Sequence, residues 1–249
     1  MKYSLFTLLL TFCFPVFAQS AATTGNHLVY QVDGAAYEGY YVSPRPDAPL
    51  VFLIHDWDGL TGYETHRADM LAALGYAVFA PDLFGAGVRP TEVEDKRQHT
   101  GELFRDRQKM RALLDGALAA ARASGAETDN AVAMGYCFGG AAVLELARAG
   151  AGFKGYVTFH GGLNTPAGQD YGETDGRVLV MHGTADTAVT MDDFKALALD
   201  LEASSVPHEM ITYGGAPHAF TVFNTDKYRE DADRKSWQRF QEFLKNTLK

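Results

Sequence analysis

The chain has 249 residues and carries 22 Lys and Arg against 31 Asp and Glu, a formal net charge of −9. That balance argues against nucleic acid or an anionic membrane surface as the main partner. No Walker loop, dinucleotide fingerprint or zinc-ligand spacing occurs along it, so neither a cofactor nor a metal is expected.

Residues 1–18 read as a secretory signal. Lys2 stands near the start, an apolar stretch runs from Leu5 to Phe17, and the small residues Val16 and Ala18 precede a cut at Gln19. The stretch is too short for a comfortable membrane span. A periplasmic or secreted protein is therefore expected, with no stable membrane association once the signal is removed. Of the two cysteines, Cys13 leaves with the signal, and Cys137 remains without an intramolecular partner. A lone thiol in an oxidising compartment favours chemical use over accident.

Residues 19–249 hold no linker, repeat or low-complexity tract, and one domain is expected. Two leading strands are predicted near His27–Val32 and Tyr37–Val42. Central strands follow at Leu50–His55, Ala77–Ala80, Asn130–Met134, Gly155–His160, Arg177–His182 and His208–Tyr213. Helices are predicted at Tyr63–Leu74, Gly101–Ala123, Gly139–Ala149, Met191–Ala203 and Tyr228–Lys245. This alternation is that of an α/β protein: a mainly parallel sheet of about eight strands, flanked by helices on both faces. The connection Phe84–Gln98, with Gly85, Gly87 and Pro90, is a candidate lid.

Within this plan, Gly135-Tyr136-Cys137-Phe138-Gly139-Gly140 lies between the apolar run Ala131–Met134 and a helix-prone segment. A side chain thrown out of so sharp a turn needs glycines where the chain passes close on either side. The helix that follows aims free N–H groups at the sulfur and favours a thiolate, which makes Cys137 a candidate nucleophile. Asp186 and His218 follow later strands, and side chains at the carboxyl ends of parallel strands converge on one rim. The order nucleophile, acid, histidine is that of the hydrolase template. A redox-responsive or metal-capturing thiol, and an acyltransferase on the same fold, are the alternative readings of Cys137.

Four segments together resemble the dienelactone hydrolase family of α/β-hydrolases: Leu53–Leu60, Ala80–Gly85, Gly135–Gly140, and His182–Asp186 with Pro217–Phe220. The resemblance implies an α/β-hydrolase fold and a hydrolase of small carboxylic esters or lactones, as a monomer or small homo-oligomer. Cys137 would attack the carbonyl to form a thioester, His218 would move the proton, and Asp186 would orient the imidazole. The backbone N–H groups of Trp57 and Phe138 would hold the oxyanion.

The family's prototype has a glutamate where Asp56 stands, thought to pair with the resting thiol. The shorter Asp56 either keeps that role or braces the oxyanion loop. Val222 occupies the position of an arginine that clamps the prototype's carboxylated substrate, which shifts the expectation toward neutral or less acidic esters. A second clamp arginine corresponds to Arg97 or a neighbour in Glu94–Arg97. His160-Gly161-Gly162 is expected to support the pocket rim, and His182 to pack near the acid loop.

Overall fold

The computed structural model describes residues 24–248; the expected signal, residues 1–18, lies outside them. Eight strands form one sheet in the order β1-β2-β4-β3-β5-β6-β7-β8. These are β1 (Asn26–Val32), β2 (Ala35–Val42), β3 (Pro49–Ile54), β4 (Ala77–Pro81), β5 (Glu127–Tyr136), β6 (Gly155–Phe159), β7 (Arg177–Gly183) and β8 (His208–Tyr213). β1 and β2 form an antiparallel hairpin that joins the sheet antiparallel to β4. From β4 to β8 every pairing is parallel.

The central strands read as unbroken apolar runs because both faces are covered. On one face Leu50, Phe52 and Ile54 of β3 pack in a core with α2 (Val93–Arg105), α3 (Arg107–Ala123), α4 (Phe138–Arg148) and α5 (Met191–Ala203). On the other, Val51 and Leu53 join the core beneath α1 (Gly62–Ala73) and α6 (Glu230–Thr247). The two-residue period of β3 thus distributes one strand between two cores. No described helix is long and apolar enough to cross a membrane.

Several boundaries differ from expectation. The helix predicted over 101–123 is two helices, broken at Asp106 (φ −113°, ψ 84°), whose carboxylate accepts from the Lys109 N–H and caps α3. The first of them begins at Val93, so the latter part of the connection expected as a lid is helical. β5 begins at Glu127, ahead of Asn130, through an irregular register against Pro49 and Leu50. α6 begins at Glu230, two residues after Tyr228.

Candidate active site

Cys137 sits between the end of β5 and the start of α4 at φ 51° and ψ −111°, a conformation that strains any residue with a Cβ. The strain is held from several sides. The Cys137 N–H donates to the Phe159 carbonyl at 3.1 Å, and its carbonyl accepts from Gly140 at 3.1 Å and Gly162 at 3.3 Å. A Cβ on Gly135 would come within 2.3 Å of the Gly139 backbone, and one on Gly139 within 2.2 Å of the Ile54 carbonyl oxygen. Only glycine lets the elbow close so tightly. The sulfur lies at the amino end of α4, where the helix dipole favours negative charge.

Asp186 follows β7 and His218 follows β8. The carboxylate Oδ1 accepts from the backbone N–H groups of Ala188 and Val189, each at 2.9 Å. Its Oδ2 lies 2.7 Å from His218 Nδ1, and His218 Nε2 lies 3.1 Å from Cys137 Sγ. Burial pushes the Asp186 carboxyl up, but the bonds from His218 and the two backbone donors outweigh it and hold it below the usual range. Burial alone would lower the His218 pKa. The bonds to Asp186 and Cys137, with their charges, raise it to about 10.

The loop after β3 is pinned by His55 and Glu64. His55 is fully buried, and its Nε2 accepts from the Leu83 N–H at 3.0 Å. The proton therefore sits on Nδ1, which donates to the Asp56 carbonyl at 2.6 Å. Burial is the main cause of its lowered pKa of about 4, so this bridge is neutral. Glu64 caps α1 through Thr61, and its Oε1 also accepts from the Asp56 N–H at 3.4 Å. The Thr-x-x-Glu spacing of Thr61 and Glu64 is the signal that would have located it.

The Asp56 carboxylate accepts from the Asp58 N–H at 3.1 Å and makes no hydrogen bond to Cys137. Burial first, then Asp58, Glu64 and Cys137, raise its pKa well above the ordinary carboxylate range. Asp56, Asp58 and Glu64 bring ligand oxygens within 4.8 Å of one another. Lys96 Nζ meets this group at Asp58, 3.4 Å away.

A cavity of about 520 Å³ opens over the sulfur, lined by Asp56, Trp57, Cys137, Phe138 and His218. α2 adds Arg97, Thr100 and Phe104 to the wall, and the loop after His218 adds Lys227. Val222 does not line it. Thr100, Phe104 and Lys227 were missed in sequence because their arrival depends on how α2 and a distant loop fold back. Lys96 lies over the Trp57 ring, 5.1 Å from its centroid. His182 is buried and stacks on Phe194 at 5.6 Å, while His160 lies beneath His218 with ring centroids 5.3 Å apart.

A mainly parallel sheet that presents a side chain from a strained strand-to-helix turn, with Asp186 and His218 after later strands, makes this an α/β-hydrolase. The model of the family described as "Dienelactone hydrolase family" matches residues 37–248, and the chain belongs to that family. It is a hydrolase of the ester- or lactone-cleaving kind, with a small-molecule substrate. The solved structure named m3DLH is 31% identical, with a TM-score of 0.86 over 92% of this chain and 100% of that one. A dienelactone hydrolase-like promiscuous phosphotriesterase from metagenomic libraries is 29% identical, with a TM-score of 0.85 over 92% and 100%. An uncharacterized Caenorhabditis elegans protein is 30% identical over 125 residues, 47% of this chain and 79% of that protein.

Proposed function

We propose that the protein is an exported hydrolase that cleaves small carboxylic esters or lactones through a Cys137–His218–Asp186 triad and a thioester intermediate. The observation that carries this reading is the unbroken path from Asp186 Oδ2 to His218 Nδ1 at 2.7 Å and from Nε2 to Cys137 Sγ at 3.1 Å. With the proton on Nε2, the sulfur attacks as a thiolate, forming the S–C bond. The N–H of Phe138, in the first turn of α4 with no intrahelical acceptor, and that of Trp57 stabilise the oxyanion. As the C–O bond breaks, the imidazolium gives its proton to the departing alkoxide. Water then attacks the thioester, His218 takes a proton from it, and the carboxylic acid leaves as the C–S bond breaks.

Asp56 braces the oxyanion loop through Asp58 in this reading. Arg97 and Lys227 line the cavity and make no ion pair among the described residues. The loss of the clamp at Val222 therefore does not leave the cavity uncharged, and substrates with an acidic arm are accepted alongside neutral ones. The apolar wall of Trp57, Phe104 and Phe138 takes the hydrocarbon part.

The test is steady-state hydrolysis of short activated esters by wild type, Cys137→Ala and His218→Ala. Loss of about 10³-fold or more in kcat is expected for each variant. Wild-type turnover in both would overturn the proposal.

A further inference from the structure

His160 follows the last residue of β6, and the steps above make no use of it. Two of its features are costly to stability. The backbone takes φ 41°, a left-handed conformation that a residue with a Cβ adopts only at a cost. The ring is fully buried, yet Nδ1 has no hydrogen-bond partner. Buried polar atoms are almost always paired, and an exception calls for a reason. Burial, and after it the charge of His218, keep the His160 pKa well below its ordinary value. The ring is thus neutral beside the imidazolium and does not repel it.

Two contacts join this ring to the reacting histidine. It lies T-shaped against His218, with centroids 5.3 Å apart and planes at 65°. Its Nε2 is 2.8 Å from Thr221 Oγ1, three residues beyond His218 on the same loop. That loop passes through Ala219 at φ 63°, so its shape is imposed from outside. α1 supplies the rest of the grip. Arg67 donates to the Thr221 carbonyl at 3.0 Å and is anchored on Asp233 of α6 at 2.5 Å. Arg67 Nε donates to Tyr63 Oη at 3.3 Å, and Tyr63 Oη donates to the Thr221 carbonyl at 3.3 Å and lies 2.7 Å from Thr221 Oγ1. Thr221 Oγ1 thus bridges Tyr63 Oη and His160 Nε2.

We infer that His160, tied to Thr221, is a positioning residue for His218: its ring backs the imidazole and its tether fixes the loop, so that Nε2 stays on the sulfur while Nδ1 stays on Asp186. The inference rests on the hydrolase reading of Cys137. Small displacements of a proton-transfer group are costly in rate, because the reacting geometry is tight.

The experiment uses the full processed chain with Thr221→Val, Thr221→Ser and His160→Phe. Thr221→Val is isosteric and keeps the test informative should His160→Phe fail to fold. The readouts are kcat and KM for p-nitrophenyl acetate, the melting temperature, and the rate of Cys137 alkylation by iodoacetamide, which reports the sulfur–imidazole pair without acyl chemistry. Thr221→Val and His160→Phe are expected to lower kcat by about 10- to 100-fold, with KM nearly unchanged and slower alkylation. Thr221→Ser, which keeps the hydroxyl, recovers most of kcat. Wild-type kcat and alkylation in a folded Thr221→Val, with or without a lower melting temperature, would overturn the inference. If the wild type hydrolyses no ester yet alkylation slows in Thr221→Val and recovers in Thr221→Ser, the positioning role stands and the hydrolase reading falls.

Discussion

The proton on His218 is held from both sides. Asp186 at 2.7 Å and the Cys137 sulfur at 3.1 Å overcome the burial that would otherwise expel it, and the pKa rises from 6.5 to about 10. Because the folded value lies above the unfolded one, the stability this proton confers is complete below about pH 6.5 and is lost as pH rises through about 10. An NMR titration should show the His218 imidazole keeping its proton to about pH 10 in the wild type, and to a lower pH in Asp186→Asn. Titration near 6.5 in the wild type would contradict the pairing. The three residues themselves are legible in the chain, because the glycine spacing around Cys137 and the strand-end positions of Asp186 and His218 are local patterns. His160 stands out in the sequence, but its tie to Thr221 and Tyr63 does not: Tyr63 and Thr221 lie 158 residues apart and meet only in the fold.

At the scale of elements, the elbow is a packing constraint as much as a chemical one. Gly135→Ala would drive a Cβ to 2.3 Å from the Gly139 backbone, and backbone cannot move aside as a flexible side chain can. The expected cost is about 1–3 kcal/mol or more, a fall of roughly 2–4 °C in melting temperature per kcal/mol for a chain of this size. A melting curve that matches the wild type would refute the tight closure. The start of α1 is also part of the site, since Thr61 and Glu64 form a capping box while Glu64 reaches the Asp56 N–H. Thr61→Ala should cost about 1 kcal/mol in denaturant unfolding. Period and composition identify the strands well, because buried parallel strands are continuous apolar runs. They miss the break at Asp106, where Leu103 and Met110 on either side enter the same core and conceal a change of helix.

Across the whole molecule, one charged cluster ties the helix after Cys137 to its neighbours. The Glu145 carboxylate of α4 is fully buried and meets Arg148 at 2.8 Å, Arg111 at 2.7 Å and Arg107 at 3.5 Å. Burial raises its pKa, but Arg148 and Arg111 outweigh that and hold it below the ordinary range. Glu145→Ala leaves the buried Arg148 uncompensated and should cost about 3–5 kcal/mol, read by urea unfolding; a change under 1 kcal/mol would show that the cluster is not stabilising. The mainly parallel sheet and the two-faced core follow from the alternation of strands and helices in the sequence; the strand order does not. The cavity does not, because α2, with Arg97 and Phe104, and the distant loop with Lys227 meet only in the fold.

The proposed chemistry requires the sulfur of Cys137 to carry the acyl group. The decisive measurement is intact and peptide mass spectrometry of wild type acid-quenched during turnover of a slow ester. It should show the chain gaining one acyl group, mapped to the peptide that contains Cys137 and absent from Cys137→Ala. Continued turnover by Cys137→Ala, or an acyl group carried on another residue, would contradict it.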